Sequence, residues 1–107
     1  MIKVQIKPLS ANEAFKGRKF RTAKYDKYIK DMMLLLPNTL VVPNDKPLSI
    51  FIEFGYSSSL SDIDNGLKPF IDCLQKKYNF NDKLINELNV RKIKVSKGYE
   101  HIIFEIK

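Results

Sequence analysis

The chain has 107 residues, a formal charge of +7, a pI near 9.5 and a single cysteine. That length supports one hydrophobic core without metal or disulfide staples, and the lone Cys73 excludes an intramolecular disulfide. With no charged-then-apolar leader, long apolar span or lipidation signal in view, the expectation is a soluble protein of a reducing cytoplasm, with no membrane partner.

Ile2, Val4 and Ile6 alternate with Lys3, Gln5 and Lys7, which predicts a strand with one buried face, at an edge or half exposed. From Pro8 to Arg21 the periodicity disappears, and Pro8, Ser10, Asn12 and Gly17 supply turn chemistry, so a mobile basic loop is expected. Thr22 can cap a helix in which Tyr25, Tyr28, Ile29, Met32, Met33 and Leu36 recur at three- and four-residue spacings until Pro37. Its other face carries Lys24, Lys27 and Lys30. From Lys3 to Lys30 the cations are Lys3, Lys7, Lys16, Arg18, Lys19, Arg21, Lys24, Lys27 and Lys30, against Glu13 and Asp26. Such an imbalance fits a polyanion, an anionic membrane surface or a basic solvated exterior.

Pro37, Pro43 and Pro47 mark a connection rather than an interior strand. Leu48, Ile50, Ile52, Phe54 and Tyr56 then alternate with Ser49, Phe51, Glu53 and Gly55, a strand that Phe51 allows to be covered on both faces. A short run, Ser57 to Ser61, leads to the acidic stretch Asp62-Ile63-Asp64-Asn65-Gly66-Leu67-Lys68-Pro69-Phe70-Ile71-Asp72. After Asp64 or Asn65 as cap, Leu67, Phe70, Ile71, Leu74 and Tyr78 make a helical stripe, with Pro69 tolerated in the first turn and Cys73 beside the core. The segment from Asp82 to Val95 reads as a strand whose apolar parity changes between Leu88/Val90 and Ile93/Val95, which predicts a bulge near Arg91 or Lys92. Lys97-Gly98 predicts a tight hairpin turn before Ile102, Phe104 and Ile106. The order of elements predicts a single α+β domain over residues 1–107, with two helices packed on a mixed sheet.

The acidic stretch is where chemistry concentrates. In an extended segment alternate residues share a side, so Asp62 and Asp64 can aim at one point, about 6–7 Å apart at the backbone. An EF-hand fails, because a loop starting at Asp62 places Cys73 where the bidentate glutamate belongs. Zinc fails as well: one cysteine, Cys73, and one histidine, His101, cannot build an ordinary closed site, and His101 is expected on the outer face of the last strand. Oxygen-only ligands favour magnesium or manganese. With one histidine, no Gly-x-Ser-x-Gly elbow and no phosphate-cradling glycine loop, hydrolase triads and P-loop enzymes are set aside. Taken alone, the cluster is equally explained by helix capping and solvated carboxylates.

Ser10-Ala11-Asn12 after Pro8, the capped tyrosine-rich helix, Asp62-x-Asp64-Asn65-x-x-Lys68-x-x-x-Asp72 and the later Phe80-Asn81-Asp82 together resemble the RusA family of Holliday-junction resolvases, over nearly the whole chain. The resemblance implies a RusA-like fold and a homodimeric, magnesium-dependent endodeoxyribonuclease, with manganese able to substitute, that nicks four-way DNA junctions symmetrically in recombination and repair. By similarity Asp62, Asp64 and Asp82 are the catalytic metal ligands and Lys68 the functional lysine. Asn12, Lys16, Arg18, Lys19, Arg21, Asn65 and Lys68 are the expected DNA contacts. Asn81 departs from the pattern, standing where the family often has a second acid before the essential one.

Asp72 lies two helical turns, about 12 Å, beyond Asp64, so it is expected to pair with Lys68 rather than to bind metal. The same helix carries the chain about 20 Å away before Asp82. Asp82 therefore either returns along the helix or serves the Asp62/Asp64 pair of a partner subunit. The alternative function is a junction-binding or structured-nucleic-acid-binding protein without catalysis.

Overall fold

The computed structural model describes residues 1–17, 20–58 and 62–107. The expected DNA contacts Arg18 and Lys19, and residues 59–61 of the run before Asp62, lie outside them. A four-stranded mixed sheet forms the base of the fold. Its strands are β1 (Ile2–Val4), β4 (Leu48–Tyr56), β5 (Ile85–Lys94) and β6 (His101–Ile106), in the order β1-β6-β4-β5. Two helices, α2 (Ala23–Leu35) and α3 (Leu67–Tyr78), and the single turn α1 (Ala11–Ala14) complete an α+β domain, with β2 (Phe15–Lys16) and β3 (Phe20–Arg21) as a small separate ribbon.

The alternation of β4 makes the core. Leu48, Ile50, Ile52, Phe54 and Tyr56 are all buried, as period-2 patterning requires of one face. Phe70 of α3 meets Phe54 and Phe104 edge-on, with ring centroids 6.1 and 5.4 Å apart, the orientation that aromatic quadrupoles favour. Thr22 caps α2 as expected, accepting from the Tyr25 N–H at 3.2 Å. Its hydroxyl also donates to the Glu13 carbonyl at 2.6 Å, which ties α2 to α1.

Several expectations are corrected. The segment from Pro8 to Arg21 is not a structureless loop within its described residues: Ser10 caps α1, and Phe15 and Lys16 pair with Arg21 and Phe20. Neither Asp64 nor Asn65 caps α3. The cap position is Gly66, with no side-chain cap bond, and a Cβ there would lie 2.7 Å from the Tyr56 hydroxyl. Close backbone approach to the core, not capping, is what that position requires.

In the β4–β5 pair the register irregularity falls at the start, between the Leu48–Ile85 and Ser49–Glu87 pairs, and pairing runs unbroken through Arg91 and Lys92. Parity changes without a bulge because Leu88 and Ile93 lie on opposite faces of an edge strand, 41% and 38% exposed. The Lys97-Gly98 turn forms, with Gly98 at φ +96°, yet it closes no hairpin. β6 pairs with β4 and β1, so the chain crosses the end of β4.

His101 does lie on the sheet face away from the helices, but it is buried. Its Nε2 is 2.8 Å from Glu53 Oε2, and Arg91 Nε donates to Glu53 Oε1 at 2.7 Å. A Cβ on Gly55 would come within 2.6 Å of the imidazole, so the glycine makes the space that the ring fills. Burial opposes the charge on Glu53. The hydrogen bonds from His101 and Arg91, with their charges, outweigh it and hold the carboxyl below its usual range.

Candidate functional site

Asp62 and Asp64 sit on an exposed turn, not on an extended segment. The Asn65 N–H bonds to the Asp62 carbonyl at 3.2 Å, and the Leu67 N–H to the Asp64 carbonyl at 3.1 Å. The alternation that would aim both carboxylates one way is therefore replaced by turn geometry leading into α3. Asn65 fastens this turn to α1, its carbonyl accepting from the Ala11 N–H at 2.8 Å. Ala11, the neighbour of the expected DNA contact Asn12, thereby meets the acidic turn through its backbone.

Behind the turn lies Tyr56, 5% exposed, whose phenol is pushed up to about 12 by burial and then by the carboxylates of Glu13 and Asp64. Glu13, in sequence only an acid among the loop's cations, lines a cavity with Tyr56 and Ser10. Its pairing with Lys24 at 3.5 Å and with the Ser10 hydroxyl at 3.3 Å holds it there.

Lys68 occupies the first turn of α3 and donates to Asp72 Oδ2 at 3.2 Å, the i,i+4 pair expected. Tyr25 of α2 donates to the same oxygen at 2.9 Å. The Lys68 ammonium also stands 5.8 Å from the centroid of Phe15, within cation–π range. Burial, the hydrogen bond to Asp72 and the charge of Asp72 all raise the Tyr25 phenol, so it remains a protonated donor. Tyr25 had read as an ordinary core aromatic; only the packing of α2 and the ribbon against α3 brings it and Phe15 to the Lys68–Asp72 pair.

Asp82 comes back along α3 to a groove bordered by the first turn of that helix, and neither Asp62 nor Asp64 lines the groove with it. Its N–H donates to the Gln75 side chain at 3.0 Å, beside a residue about 12 Å along the helix axis from Leu67. A groove of about 360 Å3 between α3 and β5, lined by Leu67, Lys68, Ile71, Asp72, Asp82, Ile85 and Leu88, holds Asp82 together with the Lys68–Asp72 pair. Among the described residues no three His, Cys, Asp or Glu side chains converge as a metal site. Asp62 and Asp64 remain a chemically suitable pair, because magnesium is commonly held by one or two carboxylates with phosphate and water completing its shell.

The basic surface has a definite form. A groove of about 390 Å3 is lined by Arg21, Lys30 and Lys76 together with Ile29, Met33 and the exposed Leu34, with Asp26 paired to Arg21 at 3.4 Å. Lys16 is exposed at the ribbon. Of the two aromatics flanking it, Phe15 is half-buried and packs edge-on against Tyr25, whereas Phe20 is 72% exposed. No described helix is long and apolar enough to cross a membrane. A scan against protein-family models matches none, and a search of curated proteins finds no similar chain.

Proposed function

We propose that this protein is a magnesium-dependent, structure-specific endodeoxyribonuclease that nicks four-way DNA junctions as a homodimer. The reading begins from the resemblance of its Asp-x-Asp-Asn-x-x-Lys pattern to RusA resolvases. The observation that carries it furthest is Lys68, held by Asp72 and Phe15 one helical turn from the acidic turn. A lysine ammonium so placed offers a solvent-accessible cation to a phosphate oxygen. Positive charge aimed where negative charge develops is the largest common source of rate enhancement.

Asp62 and Asp64 would hold the ion, which when bound supplies positive charge at the phosphate and a water of lowered pKa. The remaining work is done by side chains of this chain. Asp72 orients the Lys68 ammonium, Tyr25 holds Asp72 from the opposite helix, and Lys16, Arg21, Lys30 and Lys76 provide counter-charge for the arms of the junction. Asp82 lies with Lys68 and Asp72 in the groove, so within one chain its role is toward that end of the bound strand.

A second reading, junction binding without cleavage, is favoured by the separation of Asp82 from the Asp62/Asp64 turn. Incubation of the protein with an end-labelled mobile junction and a matching linear duplex decides between them. Paired nicks in the junction with magnesium or manganese, little cutting of the duplex and binding alone with calcium or chelator are expected. Tight binding of the junction without nicks in magnesium or manganese would select the second reading.

A further inference from the structure

Strand β5 is ten residues long and lies at one edge of the sheet, with β4 on one side and no strand beyond it among the described residues. The Val95 N–H donates to the Tyr56 carbonyl at 2.8 Å. Backbone direction alternates along a strand, so odd-numbered residues of β5 address β4 while the N–H and C=O groups of Leu88 and Val90 point away from it. A row of outward-facing groups on a strand of this length is a template for another strand.

Charged side chains normally guard such an edge. Here Arg91, Lys92 and Lys94 are offset by one acid, Glu87, and their spacing makes one self-pairing favourable. We propose that β5 pairs antiparallel with β5 of a second copy about a two-fold axis at Asn89, joining the two four-stranded sheets into one. Two-fold symmetry normal to the sheet keeps each side chain on its own face, so opposed residues share parity and a residue sits on the axis. With Asn89 there, Glu87 faces Arg91 twice, at positions without mutual hydrogen bonds, where side chains approach most closely. Leu88 and Val90 then exchange backbone hydrogen bonds and cover each other.

Neighbouring registers are worse. Centring on Arg91 opposes two guanidinium groups, and centring on Val90 sets Leu88 against Lys92 and Glu87 against Ile93. Arg91 can serve both partners, because Nε and Nη2 engage Glu53 and a guanidinium carries five N–H donors. Strand reversal also places the Asp82 end of one copy beside the Lys94 end of the other, the end of β4 from which the acidic turn departs.

Dimerisation already belongs to the nuclease reading, and the pairing deepens it by naming the surface and register; a dimer formed through another face would sink the pairing and leave that reading standing. The test is sedimentation of the full chain over a wide concentration range, with single cysteines placed at Leu88, Asn89, Val90 and Arg91 and oxidised in air. Opposed residues without mutual hydrogen bonds have Cα atoms about 4.5 Å apart, within disulfide reach; Cys73 is buried and stays out of exchange. A reversible dimer, near-complete trapping by Asn89→Cys alone and a dissociation constant raised at least about tenfold by Glu87→Lys are expected. Circular dichroism of Glu87→Lys keeps a folding defect from passing as weakened pairing. A monomer throughout the range, or a dimer trapped best at another of the four positions, overturns the proposal.

Discussion

Tyr25 and Asp72, 47 residues apart in sequence, share a 2.9 Å hydrogen bond that ties α2 to α3 and sets the carboxylate on which Lys68 rests. Removing it with Tyr25→Phe should cost about 0.5–1.5 kcal/mol of stability in urea unfolding. Asp72→Asn leaves an acceptor in place but loses the charge, so it should lower stability by a similar amount and slow nicking less than Lys68→Ala does. Equal loss of nicking in Asp72→Asn and Lys68→Ala, with stability unchanged, would show that Asp72 acts directly on the substrate.

Asp62→Asn and Asp64→Asn remove ligand charge with almost no change of shape. Each should suppress junction nicking on the order of a hundredfold or more while binding in calcium persists, and Lys68→Ala about a hundredfold. Single-turnover cleavage alongside gel-shift binding separates the two quantities. Full nicking by either asparagine variant contradicts the assignment.

Whether Asp82 serves its own chain or its partner is decided by a dimer carrying Asp62→Asn in one chain and Asp82→Asn in the other. Across the interface, one site holds both lesions and the other none, so one strand is still nicked. Within the chain every site is damaged. The β5 pairing predicts the first outcome, and complete inactivity of verified mixed dimers rejects it.

DNA binding should weaken steeply with salt. Neutralising Lys16, Arg18, Lys19 and Arg21 should reduce the slope of log K against log salt by about 0.9 for each duplex-arm phosphate that these cations neutralise in the wild type. Phe20, exposed at the ribbon, should act differently: Phe20→Ala should cost junction binding about 1–3 kcal/mol by loss of stacking, with the slope unchanged. Phe15→Ala should instead lower stability, since that ring already packs on Tyr25.

The Glu53 carboxyl lies below its ordinary value of 4.5 in the folded protein. A depressed acid contributes stability above its unfolded pKa and loses it as pH falls through the folded one. Wild type should therefore lose this contribution below about pH 4.5, and Glu53→Gln should show a shallower acid decline from a starting stability lower by about 1–3 kcal/mol at neutral pH. Gly55→Ala, which drives a methyl into the His101 ring, should cost about 1–3 kcal/mol at any pH. Urea titrations at several pH values read all three.

The one-dimensional pattern determined much of this protein by itself. The alternation of Leu48 to Tyr56, the capped stripe from Thr22 to Leu36 and the stripe from Leu67 to Tyr78 each encode a local period and a buried face, and local periods survive folding unchanged. The i,i+4 spacing of Lys68 and Asp72 was legible for the same reason. Only the tertiary structure decided what those elements meet. Strand order placed β6 between β1 and β4, so the Lys97-Gly98 turn made no hairpin, and the buried His101 and Glu53 met each other with the exposed Arg91 closing over Glu53. Packing of α2 on α3 brought Tyr25 to Asp72, and docking of α1 on Asn65 replaced an extended acidic strand with a turn. The course of the chain after α3 holds the Asp82 N–H on the Gln75 side chain and sets Asp82 at the groove of Lys68 and Asp72, a placement that no local period encodes.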